Sequence, residues 1–509
     1  MRDENTNRKT TSPLIIDLFA GGGGASQAIF EAMGRHPDIA VNHDPEALAL
    51  HAANHAETLH LCDDIRQVDI EALMARFENR EVELLWASPD CTHHSKARGA
   101  KPKDKKIRGL AWEVLRWSAA IKRTTGALPR MIALENVEEF ADWGPIHRYG
   151  KKAGTANGRR KGETFRIWQS SLRSLGFRQI EQRELVACDY GAPTSRKRLF
   201  LVARSDGQPI NWPKPTHMKP LKSADLFTPN LPPFRDAASI LQWDIPLHSI
   251  FDRKRALKPK TCARIAKGIR RYLIETTQPF VVPITHSGPR RIRTIDEPLA
   301  TITSCHRGEF SLAAPFIDKY YATGVAADAT EPLDTMTAKG RFGLAGAFLE
   351  QTNTGLIGHS AKEPLSTITS KGAQQRLVLA NLSASAEDRS KKRAAVLHFL
   401  WEHFGHPTEE ESRDPEGTLL GRLKFGLVYV DGRLHQIWDI GMRMLTPREL
   451  YSAQGFPADY KISVETSKGE LTKTAQIRMV GNSVSPPPAS ALLKVNLYKA
   501  RHDTTTIAA

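Results

Sequence analysis

The stretch that most narrows the fold lies near the start of the chain. A short apolar run, Leu14-Ile15-Ile16-Asp17-Leu18-Phe19-Ala20, leads into Gly21-Gly22-Gly23-Gly24, and a helical pattern follows over 25–33. A buried strand, a glycine turn and a helix N-terminus form the first unit of a nucleotide-binding α/β fold, because glycines let the backbone approach a ligand closely. A glycine run alone fits a plain turn or linker equally well, so the following units decide. Ile39-Ala40-Val41-Asn42-His43-Asp44 reads as a second strand ending in an acid, where a ribose or adenosine hydroxyl would be met. Residues 45–55 read as a helix with Pro45 in its first turn. A third acidic turn, Asp63-Asp64-Ile65, follows Leu59-His60-Leu61, and a helix is expected over 69–78. Val82-Glu83-Leu84-Leu85-Trp86 and Met131-Ile132-Ala133-Leu134 are further buried strands, the latter running into Glu135-Asn136-Val137. Helices are expected at 110–123 and 163–175, and a hairpin-like pair at 180–188 and 198–204. Strands alternating with helices in this way predict a doubly wound, mostly parallel, Rossmann-like sheet.

Five cysteines (Cys62, Cys91, Cys188, Cys262, Cys305) are widely spaced and form no C-x-x-C pair. That supports neither a disulfide framework nor a zinc site and fits a reducing cytoplasm. Cys91 stands apart, at the carboxyl end of a strand in Ala87-Ser88-Pro89-Asp90-Cys91-Thr92-His93-His94-Ser95, with a basic segment behind it. An α/β enzyme would place a nucleophile there; a buried structural thiol is the alternative. His51 and His55 have the i, i+4 spacing of a helical metal pair, but no third ligand stands near, so they read as ordinary helix-surface histidines and no metal is expected. The net charge of +16 suggests a polyanionic partner, nucleic acid ahead of membrane. Residues 1–12 are polar, without the apolar core of a secretory signal, and no apolar run reaches membrane-spanning length.

After Asp206 the βα rhythm stops and prolines crowd 209–233. Residues 253–271, Arg264 and Lys267 among them, carry nine Lys/Arg and no acid, as either a solvated helix face or a phosphate-contacting surface would. An internal repeat follows: Glu297-Pro298-Leu299-Ala300-Thr301 recurs as Glu331-Pro332-Leu333-Asp334-Thr335 and as Glu363-Pro364-Leu365-Ser366-Thr367. Each copy comes after a polar, glycine-bearing stretch, which predicts a repeated turn and Thr/Ile-rich strand stacked into a β-rich module. A purely structural repeat and one that sets loops along a groove fit equally well. Residues 394–404 read as a buried helix, 409–416 as an acidic surface loop, and 427–437 as a hairpin turning at Asp431-Gly432. The expected divisions are a frayed 1–12, a catalytic unit 13–205, a recognition region 206–440, a return to the catalytic unit over 441–500, and a frayed tail 501–509.

The order of motifs resembles that of the DNA (cytosine-5)-methyltransferases. Asp17-Leu18-Phe19-Ala20-Gly21-Gly22-Gly23 is similar to their cofactor motif, Pro89-Asp90-Cys91 to the nucleophile motif, Glu135-Asn136-Val137 to the Glu-Asn-Val motif, and Arg196-Lys197-Arg198 to the Arg-x-Arg motif. Leu445-Thr446-Pro447-Arg448-Glu449 with Gln454-Gly455-Phe456-Pro457, and Gly481-Asn482-Ser483-Val484, resemble the two late motifs. The resemblance covers 14–204 and 442–498, and it implies an S-adenosylmethionine-dependent methyltransferase fold with an inserted β-rich recognition domain. It implies Cys91 as nucleophile toward C6 of a flipped-out cytosine, Glu135 as the partner at N3, and Arg196 and Arg198 as binders of phosphate or base. The implied methyl donor is S-adenosylmethionine, held by Asp17, Phe19, Ala20, Gly21, Gly23, Asp44, Asp64, Ile65, Pro89, Asn482 and Ser483. The implied partner is double-stranded DNA, contacted by Ser95, Lys96, Arg98 and Lys101 in a closing loop and by Arg264 and Lys267. A cognate restriction endonuclease is a candidate second partner, and a DNA-associated cytoplasmic monomer, encoded by a bacterium or a phage, is expected.

The chain departs from the family pattern at four places: Asp90 for proline, Thr92 for glutamine, Asn42 for the ribose-gripping glutamate, and Thr194 for a glutamine before Arg196. An anion beside Cys91 disfavours its thiolate unless it points away. Two alternatives therefore stand beside the leading reading: a DNA-binding protein with an inactive catalytic unit, and an enzyme of this fold that acts on RNA or adds another group to cytosine.

Overall fold

The computed structural model describes residues 12–90, 109–147, 155, 157–219, 230–242, 245, 248–270, 386–430 and 433–497, with short strands between 282 and 376. Cys91, Ser95, Lys96, Arg98, Lys101, the three Glu-Pro-Leu repeats, and the expected frayed ends at 1–11 and 501–509 lie outside the described residues. The organising element is a seven-stranded sheet of β1 (Leu14–Leu18), β2 (Ile39–Val41), β3 (Leu59–Leu61), β4 (Val82–Ala87), β5 (Met131–Asn136), β6 (Gln179–Val186) and β7 (Lys197–Arg204). Its spatial order is β3-β2-β1-β4-β5-β7-β6. Strands β1 to β5 pair in parallel, and β7 runs antiparallel to both neighbours. The doubly wound reading holds, with the hairpin as its antiparallel exception.

Every residue of β1 and β5 is buried, as a continuous apolar run covered on both faces requires. Leu14, Ile16 and Leu18 face the layer built by α3 (Ile70–Arg76), α4 (Trp112–Thr125) and α5 (Glu163–Leu175). Ile15 and Trp86 face the other layer, where α1 (Gly24–Met33) packs beside the late helix Pro486–Leu497. In α5 the i, i+3, i+7 spacing of Phe165, Trp168 and Leu172 supplies the buried stripe, and the Trp168 indole N–H donates to the Ala111 carbonyl at 2.9 Å. A third core joins Leu50 of α2 (Pro45–Asn54) to Ile265, Leu400, Ile440, Leu450 and Val480.

The β-rich part follows β7. An eight-stranded sheet is centred on the antiparallel pair β11 (Phe310–Asp318) and β17 (Arg433–Met444). The segments ahead of the first and third repeat copies stack side by side. β9 (Val282–Pro283) lies parallel to β12 (Phe348–Gln351), and β10 (His286–Ser287) lies parallel to β13 (Thr354–Gly355). The paired residues lie 68 positions apart, two more than the 66 between the first and third repeat copies. The expected hairpin is present, β16 (Leu427–Val430) pairing with β17, but β17 runs on to Met444, four residues past the expected boundary at 440. The expected acidic loop contains a short helix, Glu409–Arg413, because Thr408 and Glu411 form a reciprocal capping box. No described helix is long and apolar enough to cross a membrane.

Gly24 is where the two ends of the chain meet. A Cβ built there would sit 2.1 Å from Ser483 Oγ and 2.3 Å from the Val484 carbonyl oxygen, so only glycine admits the late segment against the first turn of α1. Gly24→Ala is therefore expected to lower stability by about 2 kcal/mol through overpacking, read by thermal or urea unfolding. An unchanged midpoint would mean that this contact does not hold the late segment in place.

Candidate active site

The carboxyl ends of the parallel strands open onto a cavity of about 510 Å³ at the switch point between β1 and β4, the position where open α/β sheets bind ligands. Phe19, Ala20 and Gly21 line it after β1, Asp44 after β2, Asp64 and Ile65 after β3, and Pro89 and Asp90 after β4. Glu135 from β5, Arg196 and Arg198 at the start of β7, and Asn482 and Ser483 from the late segment complete the wall. Asp17 and Gly23 are not in this lining. Asp17 is fully buried on β1, and Gly23 (φ +95°) is the N-cap of α1, where a Cβ would meet Tyr460 Oη at 2.3 Å. Phe19 also adopts a left-handed φ of 63°, a strained conformation for a bulky residue and one that concentrates at ligand sites.

The edge of the cavity formed by Pro89, Glu135 and Arg196 is cross-tied. Asn136 Nδ2 donates to the Pro89 carbonyl at 2.9 Å, which fixes the turn before Cys91 to the end of β5. Glu135 is buried with its Oε1 3.3 Å from Arg198 Nε and 3.9 Å from Arg196 Nη2, yet that oxygen accepts no hydrogen bond. Burial raises its pKa, and the Arg198 and Arg196 charges oppose the shift. Arg196 points its guanidinium at the late segment, donating to the carbonyls of Gly481 (3.2 Å) and Ser483 (2.7 Å). Asp90 is exposed at the cavity wall.

The side of the cavity lined by Asp44 and Asp64 is more pre-engaged than the sequence suggests. Asp44 caps α2 through the Glu46 N–H and pairs with Arg478 Nη1 at 2.7 Å; Arg478 also reaches Glu46 at 2.9 Å. Arg478 lines the cavity, and nothing in the motif reading singled it out. Asp64 accepts from the Arg66 backbone N–H and side chain, bonds that hold its carboxyl down at about 2. Lys267 is exposed on the helix Pro259–Gly268, which also carries Arg264; Ile265 and Ala266 are buried on its other face. Arg253, Lys254, Arg255 and Lys258 are exposed just before it.

His51 and His55 are not surface residues. Both are fully buried, because α2 packs them against α1, β3 and Tyr460, and neighbouring side chains satisfy their ring nitrogens. Among the described residues no group of His, Cys, Asp or Glu is arranged to hold a metal. Their burial was legible only in part: i, i+4 spacing puts them on one face but does not say which face is inward. Tyr460, whose hydroxyl donates to the Gly22 carbonyl at 2.6 Å, carries no sequence signal of its role.

A Rossmann-like sheet with a glycine turn thus opens onto one cavity lined by a buried carboxyl and two arginines. The family model for C-5 cytosine-specific DNA methylases matches residues 14–267 and 391–496. The chain belongs to that family and is an enzyme of the cytosine-5 methyltransferase class. It is 27% identical over 241 residues to the Type II methyltransferase M.AquIA of Picosynechococcus sp., covering 45% of this chain and 88% of that protein. It is 26% identical over 204 residues to the Type II methyltransferase M1.HphI of Haemophilus parahaemolyticus, covering 40% of this chain and 48% of that one. Among solved structures, a DNMT2 from Spodoptera frugiperda superposes over 95% of this chain and 99% of its own at 16% identity, with a TM-score of 0.46.

Burial raises the Asp17 carboxyl to about 7, against 3.8 for an unhindered one, with the Ser26 hydrogen bond opposing. The folded protein therefore holds a proton that the unfolded chain releases between those values, and stability contributed by this group falls as pH rises through that interval. Asp17→Asn is expected to gain stability relative to wild type from pH 4 to 7 and to level off above, measured by urea unfolding at stepped pH. A constant gap would show that Asp17 is not the titrating group.

Proposed function

We propose that this enzyme transfers a methyl group from S-adenosylmethionine to C5 of a cytosine flipped out of duplex DNA, through a transient Cys91–C6 adduct. The observation that carries the reading is Glu135: a buried carboxyl with a raised pKa, held between two arginines, one residue from the Asn136–Pro89 tie that positions the turn before Cys91. Position 5 of cytosine is too weak a nucleophile to take a methyl group unaided. Addition of the Cys91 thiolate at C6 makes C5 enamine-like, and a protonated Glu135 at N3 absorbs the displaced charge. Arg198 keeps that carboxyl oriented. Loss of the C5 proton and expulsion of Cys91 then restore the ring.

The cavity fits the cofactor on its own terms. Its volume falls within the range of small-ligand sites, its lining includes the glycine turn, and a Cβ on Gly22 would press against Leu50 Cδ2 at 3.1 Å. When bound, S-adenosylmethionine supplies a methyl group activated on a sulfonium. Phe19 to Gly21 and Asn482 would hold its amino-acid and adenosine parts, and Asp64 with Ile65 its adenine. With Asn42 in place of a glutamate, the Asp44–Arg478 pair in the cavity wall after β2 would meet the ribose hydroxyls. The segment 91–108, with seven Lys/Arg against one acid, and the basic run 253–271 suit phosphate contact, and 206–444 suits target recognition.

A duplex carrying 5-fluorocytosine tests the mechanism, since fluorine cannot leave as the C5 proton does. With S-adenosylmethionine present, wild type is expected to form an adduct that survives denaturation, and Cys91→Ser none. Trapping by Cys91→Ser equal to wild type would remove Cys91 as nucleophile; trapping without the donor would remove the cofactor assignment.

A further inference from the structure

Behind the glycine turn runs a chain of buried polar groups that methyl transfer does not use. Asp17 Oδ2 lies 2.7 Å from Ser26 Oγ, Ser26 Oγ lies 2.8 Å from His51 Nε2, and His51 Nδ1 lies 2.8 Å from His60 Nε2. Asp17, Ser26 and His51 are each fully buried; His60, on β3, is half-buried. The other Asp17 oxygen has no hydrogen-bond partner.

Counting hydrogens constrains this chain. Ser26 has one hydroxyl hydrogen and two neighbours at bonding distance, so one neighbour must donate to it. Either Asp17 is protonated and donates, or His51 donates from Nε2. In the first arrangement Ser26 donates to His51 Nε2, and His51 donates from Nδ1 to a neutral His60. In the second, Ser26 donates to an anionic Asp17, and His51 Nδ1 must accept from His60 Nε2. Burial lowers the His60 pKa and its bond to the Thr58 backbone opposes that shift; in the second arrangement His60 keeps the proton on that bond and donates from Nε2 as well, so there it is the imidazolium. The two arrangements differ by one proton, on Asp17 or on His60, and the three hydrogen bonds are kept in both.

We propose that Asp17, Ser26, His51 and His60 form a proton relay under the cofactor turn, which passes the Asp17 proton to His60 when a cationic methyl donor enters the cavity and returns it when the uncharged sulfur of the spent donor remains. The proposal rests on the S-adenosylmethionine reading above. Asp17 stands two residues before Phe19, the first turn residue that lines the cavity, in a fully buried position where a nearby positive charge has strong leverage on whether a carboxyl ionises. His60 reaches solvent, so the compensating charge can be hydrated. In the transfer the Asp17 O–H bond breaks, the Ser26 and His51 protons each move one place along, and an N–H bond forms at His60 Nε2. No electrons are gained or lost.

Burial disfavours the charged forms of the titratable groups His51, His55 and Tyr460. His55, 4.6 Å from the His51 ring and bonded to His36 Nδ1 at 2.9 Å, is pushed down to about 3 by burial. Burial lowers His51 itself, while burial, Tyr451 and Asp17 raise Tyr460. The four members are positioning residues for the turn.

Isothermal calorimetry on the full chain at pH 6.5, in two buffers of different ionisation enthalpy, counts the protons exchanged on binding S-adenosylmethionine or S-adenosylhomocysteine. Wild type should bind the donor with almost no net proton release, because the proton stays within the chain. His60→Gln, which keeps hydrogen bonding but cannot hold the charge, and Ser26→Ala, which cuts the relay and leaves both ends, should each release a large fraction of a proton with the donor and little with the product. Asp17→Asn should weaken donor binding about tenfold, the equivalent of one pKa unit, and product binding much less. Equal proton counts in wild type, His60→Gln and Ser26→Ala, or equal weakening of both ligands by Asp17→Asn, would overturn the relay. Wild type that binds neither ligand would overturn the cofactor reading first, and that outcome needs no variant to be seen.

Discussion

Two hydrogen bonds from one arginine hold one edge of the cavity together. Arg196 donates to the carbonyls of Gly481 and Ser483, groups 285 and 287 residues later in the chain. Those carbonyls close the helix Lys473–Asn482 and the turn after it, so the arginine fixes the back wall of the cavity to the start of β7. Gly24 admits the same segment against α1, and Asn136 fixes the Pro89 turn to β5. A buried guanidinium with such partners is costly to leave unpaired. The β-rich part can therefore be inserted between β7 and the late helices while the site stays assembled.

The same tie shapes the electrostatics. With Arg196 turned toward the late segment, Arg198 is the nearer cation to Glu135, and that carboxyl keeps an oxygen with no hydrogen bond and a raised pKa. A carboxyl so placed holds a proton more readily than a surface one, and it shares the cavity lining with the late-motif residues Asn482 and Ser483. The motif Leu445-Thr446-Pro447-Arg448-Glu449 has a similar internal logic. Glu449 is fully buried, accepts from the Thr446 and Gln242 backbone N–H groups and pairs with Arg443, so it locks the return of the chain from β17 into the next helix.

Much of the catalytic unit was legible because its signals are local. The apolar runs of β1, β4 and β5, the glycine turn and the helix periods each specify an element without distant information, and the cavity residues at strand ends follow from the fold. What was not legible depends on contacts far apart in sequence. The spacing of His51 and His55 suggested a surface pair, yet packing of α2 against Tyr460, some 400 residues on, makes them core. Arg478 and Arg196 carry charges that a sequence reads as surface or substrate contacts; their partners, Asp44 with Glu46 and two backbone carbonyls, are visible only in the fold. Asp90, the residue least expected beside a nucleophile, is exposed, where water can screen its charge.

The central claim is that this chain methylates cytosine at C5 through Cys91. Bisulfite sequencing of the genome of a methylation-free host expressing the chain tests it most directly. The account predicts protected cytosines within one recurring sequence context for wild type and none for Cys91→Ala. A genome without protected cytosines in both, or with the same protection in both, would contradict it.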